Sequence, residues 1–174
     1  MRDKYHIASL APTAEFASAV VEMLREAATW TADRGFPTWC GESFTVAEQL
    51  GLAEAGELVG GFDAGRLVAS MRLQRTDRIH WSNDPPGEAL YVHKLVVRRC
   101  AAGTGWPRRL LDWAMTRVAE QQAQFLRLDT FPFGPLPALY EQHGFLRVGS
   151  EPDFIAGRWI VRMEKPSNFR THIV

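Results

Sequence analysis

The chain has 174 residues, 46% of them hydrophobic and 23% charged, which is one domain's worth of ordinary globular composition and excludes wholesale disorder. Twenty Lys+Arg balance twenty Asp+Glu, so the formal net charge is zero, and no nucleic-acid partner is expected because phosphate-backbone binding needs a basic surplus. No apolar run approaches the roughly 18 residues that a membrane span requires, so no membrane partner is expected either. Cys40 and Cys100 supply no paired CxxC spacing, and no metal is expected. Met1 to His6 carries no apolar signal core, so the reading is a cytoplasmic protein with reduced thiols.

Tyr5 to Leu10 reads as a strand closed by Ala11-Pro12. Thr13 then caps a helix whose apolar face is Phe16, Ala17, Val20, Val21, Leu24 and Ala28, at helical spacing. Trp30 to Phe44, broken by Gly35, Pro37 and Gly41, reads as an irregular aromatic connection. Thr45-Val46-Ala47-Glu48 has the capping-box form and opens a second helix. Leu58 to Phe62 and Leu67 to Leu73 flank Asp63-Ala64-Gly65-Arg66, a hairpin signal.

Ser82 to Gly87 reads as an exposed loop, and Ala89 to Val97 as a central strand, apolar on both faces. Alternation puts Tyr91, His93, Leu95 and Val97 on one face of that strand. After Gly103 and Gly105 a helix runs from about Pro107 to Gln121 on Leu110, Leu111, Ala114 and Val118. A strand over Leu126 to Thr130, a helix over Leu136 to His143, and strands over Phe145 to Gly149 and Arg158 to Met163 follow. The order β-α-α-β-β-β-α-β-α-β-β has no repeat and no linker. It predicts one mixed α/β domain over 1–174 with a loose tail after about 166.

The strand–turn–helix around residues 98–109 carries the clearest chemistry. Glycines admit an anion close to the backbone, and the helix start offers N–H groups at its positive end. Arg98, Arg99, Arg108 and Arg109 bracket the turn and suit a pyrophosphate. Neither the dinucleotide fingerprint nor the P-loop fits, because Arg108 stands where a third glycine belongs and no Gly-Lys-Ser/Thr is present.

Leu95-Val96-Val97-Arg98-Arg99, Ala102-Gly103-Thr104-Gly105-Trp106-Pro107 and Leu139-Tyr140-Glu141-Gln142-His143-Gly144-Phe145 resemble three signatures of the GNAT superfamily of N-acetyltransferases. The first looks like its central-strand motif, the second occupies its Arg/Gln-x-x-Gly-x-Gly/Ala turn, and the third closely matches its Leu-Tyr-Glu-x-x-Gly-Phe type run. The resemblance spans most of the chain and implies a mostly antiparallel sheet of about seven strands flanked by helices. It implies acetyl-CoA as co-substrate and a small-molecule or peptide amine as acceptor, attacking directly in a ternary complex. Backbone groups of Leu95, Val96 and Val97 would hold the pantetheine arm and acetyl carbonyl. Gly103, Thr104, Gly105, Arg108 and Arg109 would hold the pyrophosphate, and Tyr140 would be the general acid. Dimers are common in the family, so the resemblance admits a homodimer, while the sequence itself leaves the oligomeric state open.

Ala102 and Pro107 stand where the family pattern has Arg/Gln and Gly/Ala, and Phe133 stands near a position where many members carry a CoA-contacting Asn. Two alternative readings follow: a module that binds CoA or another ligand without turnover, and a non-catalytic scaffold. For the base, His93 ranks first by its reference pKa of about 6.5, ahead of Glu88 and Asp129. Trp30, Phe36, Trp39 and Phe44, with Trp81, are aromatic candidates for the acceptor pocket, and Asp129 joins them as a substrate contact.

Overall fold

The computed structural model describes residues 5–167. The strand at the start is β1 (Tyr5–Ser9), followed by α1 (Ala14–Ala32) and α2 (Val46–Glu54). Then come β2 (Leu58–Asp63), β3 (Arg66–Gln74), β4 (Ala89–Val97), α3 (Trp106–Glu120) and β5 (Phe125–Thr130). The chain ends with α4 (Leu136–Gln142), β6 (Leu146–Arg147), β7 (Asp153–Ile155) and β8 (Arg158–Pro166). Two compact units emerge, the described parts of Met1–Leu73 with Lys94–Leu110, and of Gln74–His93 with Leu111–Val174. Strand β4 contributes residues to both.

In the first unit the strands run β1-β2-β3-β4, with β1 and β3 antiparallel to β2. Thr13 and Thr45 cap α1 and α2 as read, each hydroxyl accepting the N–H three residues on, from Phe16 at 3.3 Å and Glu48 at 3.2 Å. The buried stripe of α1 is the expected one with Met23 added and Phe16 only half-buried. It packs with Leu10, Phe44, Leu58 and Val96 into one core cluster. The Asp63–Arg66 hairpin turns through Ala64 and Gly65, both at positive φ, 48° and 82°, the geometry a two-residue hairpin demands. Gly61 in mid-β2 has a packing cause. A Cβ there would lie 2.5 Å from the ring of Trp106, which is fully buried at the start of α3.

The second unit orders its strands β4-β5-β8-β6, with β7 on β8. Strand β4 runs parallel to β5 over Ala89–Val92, in register with Phe125–Leu128, while β8 is antiparallel to β5, β6 and β7. Gly144 ends α4 at φ 84°, in the left-handed region that favours glycine at a helix C-terminus. Ser167 donates its N–H to Gln124 at 2.7 Å, and the expected loose tail otherwise lies outside the described residues.

Four readings need correction. Helix α1 continues to Ala32, so Trp30 is helical and the irregular segment begins later. Strict alternation along β4 fails because Lys94 adopts φ 51°, which turns the strand after His93. The final strand region holds an additional strand, β7, while β6 is only two residues long; the eight strands that result agree with the mixed sheet of about seven expected. The loop over Ser82–Gly87 is not wholly exposed, since Asp84 turns inward to accept from the Tyr91 hydroxyl and from Arg127.

Candidate active site

The turn between β4 and α3 is built as the sequence suggests. Arg98 donates its N–H to Val68, and Arg99 to Ala101 form one 3-10 turn. Ala102 to Gly105 are exposed, and Gly103 and Gly105 sit at φ 76° and 85°. Nothing lies within 4 Å of where a Gly103 side chain would begin, so the backbone there is open to a bulky anion. Thr104 closes the turn by donating its hydroxyl to Ala101 at 2.7 Å.

The arginines are less available than their number suggests. Arg109 donates to the Thr104 carbonyl at 2.6 Å and lies over the Tyr5 ring at 4.1 Å. Arg98 donates to the Leu67 carbonyl and pairs with Glu22, and Glu26 accepts the backbone N–H of Arg99. Pro107 falls in the first turn of α3, where its ring is tolerated but supplies no N–H. Above the turn, Leu95 and Val97 are half-buried, and the Val96 side chain belongs to the first unit's core. The described ladder to β5 covers only Ala89–Val92, so the Lys94–Val97 backbone lies past it.

In the second unit the parallel register carries the Tyr91–Arg127 pair forward two residues to His93 and Asp129, on one face of the sheet. The β3–β4 loop lays Asp77 and His80 onto these two. His93 Nε2 is 3.4 Å from Asp77 Oδ2, and His93 Nδ1 is 3.5 Å from Asp129 Oδ1. His80 Nδ1 is 3.0 Å from Asp77 Oδ2 and 3.5 Å from Asp129 Oδ1. All four side chains are at most 16% exposed.

Burial pushes the Asp77 carboxyl up, but hydrogen bonds from the His80 side chain and backbone, with the charges of His93 and His80, outweigh it and hold it down at about 2. Asp129 is likewise pulled down against its burial, by His93, His80 and Arg158. His80 is pushed up, chiefly by its hydrogen bond to Asp77. Atoms of Asp77, His93 and Asp129 lie within 4.8 Å of one another, a spread the ligands of a cation can also have. Here the two carboxylates already face two imidazoles and, at 3.9 Å from Asp129, the guanidinium of Arg158.

Tyr140 projects from α4 with 9% exposure, its ring edge-on to Phe145 at 5.8 Å. Burial, with the charge of Asp129, pushes its phenol up to about 12. Its hydroxyl makes no described hydrogen bond and is held neutral.

The remaining candidates divide. The Glu88 carboxylate is bound at 2.6 Å by Arg127, which also holds Asp84 and Glu164. Phe44 is a buried structural ring, 3% exposed, while Trp81, 5% exposed, lines a small cavity of about 240 Å³ with Asp77, Asp84 and Tyr91. Trp30 is covered by the guanidiniums of Arg34 and Arg99, each 4.1 Å from the ring, and meets Phe36 edge-on. Trp39 lines a cleft of about 570 Å³ with Arg25, Thr29 and Glu42. Phe133 is exposed beside Phe131. Asp77 and His80 were not singled out from the sequence, because a loop has no period to announce them. The one signal was the coincidence of Asp and His in a short segment preceding a central strand that itself carries a His.

Strand order, the glycine turn opening α3 and the Tyr140 helix together define the fold of the GNAT acetyltransferases, and the resemblance read from the motifs stands at the level of the whole chain. Among curated proteins, the chain is 28% identical over 144 residues to the uncharacterised N-acetyltransferase YesJ of Bacillus subtilis, covering 79% of this chain and 80% of that one. A GNAT-family acetyltransferase from Listeria monocytogenes superposes with a TM-score of 0.73 at 21% identity, over 93% of this chain and 94% of that one. YncA from Salmonella typhimurium, solved with acetyl-CoA, gives 0.73 at 15% identity over 97% of both chains. PaiA N-acetyltransferase from Thermoplasma acidophilum, solved with coenzyme A, gives 0.72 at 16% identity over 93% and 98%. No family model matches the chain.

Proposed function

We propose that the protein is an N-acetyltransferase that passes the acetyl group of acetyl-CoA to a primary amine. The observation that carries this reading is the exposed Gly103–Gly105 turn, left-handed at both glycines, between the central strand and α3. It fits a pyrophosphate: backbone N–H groups are presented at the positive end of a helix and no side chain fills the space at Gly103. Acetyl-CoA in one structural relative and coenzyme A in another support the same donor here.

In this reading the backbone past the β4–β5 ladder, at Leu95 and Val97, orients the donor's arm and acetyl group. When bound, the donor supplies an activated acetyl carbon and a thiolate leaving group. His93 accepts the proton that the acceptor's ammonium must lose; Tyr140 donates its phenolic proton to the departing sulfur, and its phenolate takes the remaining N–H proton of the adduct, which leaves a neutral amide and a neutral thiol. Because Tyr140 keeps its proton up to about pH 12, that donor is in place at any working pH.

A second reading, CoA binding without turnover, is favoured by one feature. Pro107 lacks an N–H and Arg109 is tied to Thr104, so two contacts to phosphate are weakened. Losing one hydrogen bond to a charged group costs about 1.5–3 kcal/mol, roughly ten- to a hundredfold in affinity. The test is thiol release from acetyl-CoA across a panel of alkylamines, polyamines and amino-terminal peptides, for the wild type and for Ala102→Arg/Pro107→Gly. The acetyltransferase reading expects amine-dependent release, tighter donor binding in the double variant and turnover in both. Donor binding with no release by either protein would replace it with the second reading.

A further inference from the structure

We propose that Arg34 and Arg99, gathered on the Trp30 ring, form a phosphate-monoester site beside the glycine turn, and that its occupant is the 3′-phosphate on the ribose of acetyl-CoA. This rests on the acetyl-CoA reading above and adds to it a second anchor for the donor, separate from the pyrophosphate.

The site is built from the end of α1 and the start of the turn. Trp30 lies in the last turn of α1, half-buried, and Phe36 meets its ring edge-on at 6.2 Å. The guanidinium carbons of Arg34 and Arg99 each lie 4.1 Å from the ring centroid, and so at most twice that distance from one another. Arg34 follows the end of α1 and reaches back, donating Nη1 to the Trp30 carbonyl at 3.4 Å. Arg99 is fixed through its backbone. Its N–H is accepted by Glu26 Oε2 at 3.0 Å, and its carbonyl accepts the N–H of Ala102 at 3.2 Å. Both arginines are exposed.

Two like charges therefore share one indole without a counter-charge. Among the described residues neither guanidinium has a carboxylate partner, whereas Arg98 pairs with Glu22 and Arg109 is tied to the Thr104 carbonyl. The negative face of the ring holds both cations but supplies no acceptor oxygen, so most of their N–H donors stay open to an anion. A phosphate monoester suits this pair. It is close to a dianion at neutral pH and has three acceptor oxygens, enough for two guanidinium forks, where a carboxylate carries one charge and fills one fork. Acetyl-CoA carries its single monoester one ribose away from the pyrophosphate. Arg99 stands at a matching remove from the turn: the bond from Ala102 to its carbonyl keeps the two Cα atoms within about 7 Å, and Ala102 opens the exposed backbone that runs to Gly105.

Calorimetric titration of the full-length protein with acetyl-CoA and with 3′-dephospho-acetyl-CoA reads the site directly, because the two donors differ only in that phosphate. The wild type is expected to bind acetyl-CoA about tenfold or more tightly than the dephospho donor. Arg34→Gln and Arg99→Gln should each weaken acetyl-CoA about three- to tenfold, and the double variant should lose the preference. The dephospho donor should keep its wild-type Kd within about twofold in all three variants, which also checks that they fold. Equal affinity of the wild type for the two donors overturns the proposal and leaves the acetyl-CoA reading intact. A preference that survives both substitutions, or equal weakening of both donors, overturns it as well. No binding of either donor ends the acetyl-CoA reading and this proposal with it.

Discussion

The Tyr140 side chain is prepared by its surroundings before any substrate arrives. Buried beside Phe145 and under the field of Asp129, its phenol keeps its proton to about pH 12. Tyr140→Phe removes only the hydroxyl and keeps the ring packing. It should therefore lower kcat by about 10²-fold or more, the usual weight of a general acid, and leave the acetyl-CoA Kd within about twofold. Equal turnover in the variant would end the assignment. Asp77 and His80 give the same scale a pH signature. Asp77 is lowered from 3.8 to about 2, so its stabilisation is complete above 3.8 and is lost as pH falls through about 2. His80 is raised from 6.5, so its share is complete below 6.5 and is lost as pH rises through the raised value. Thermal melts of the wild type minus Asp77→Asn should thus differ most between about pH 4 and 6.5, by roughly 2 kcal/mol. A difference independent of pH would contradict the pair.

The β3–β4 loop behaves as an element despite having no regular structure, because ionic and aromatic contacts fasten it to the sheet. Arg127 of β5 binds Asp84 and Glu88 at 2.6 Å and Glu164 at 3.0 Å, and its guanidinium lies 4.7 Å from the Trp81 ring. Removing it leaves three carboxylates facing one another in a half-buried site. Arg127→Met should cost about 3 kcal/mol or more and raise amide exchange over residues 77–88, as breaking a buried ion cluster does. Wild-type stability in that variant would show that apolar packing alone holds the loop.

The same element shows where sequence reading ends. Periodicity found β4 to the residue, and found the buried stripe of α3, because each is decided by which side chains leave water. It could not foresee the left-handed turn at Lys94, since alternation assumes an uninterrupted strand, nor β7, whose three residues are too few to show a period. Tyr140, His93 and Asp129 could be named from a motif, a strand position and a strand end. Asp77 could not, because it meets His93, 16 positions on in the chain, only through folding.

For the molecule as a whole, strand order and motif agree on the GNAT fold, and relatives of that fold hold acetyl-CoA or coenzyme A. No helix among the described residues is long and apolar enough to cross a membrane. What distinguishes this chain is a turn with the glycines in place, a proline in the following helix turn and an arginine tied to the turn's own carbonyl. The glycine backbone is expected to suffice for the pyrophosphate. Calorimetric titration of the purified protein with acetyl-CoA at moderate salt tests this directly. Saturable binding with a Kd of about micromolar strength, near −8 kcal/mol, is the predicted result. No heat of binding up to about millimolar donor would mean that the turn holds no pyrophosphate, and the acetyltransferase reading would give way to a scaffold on the same fold.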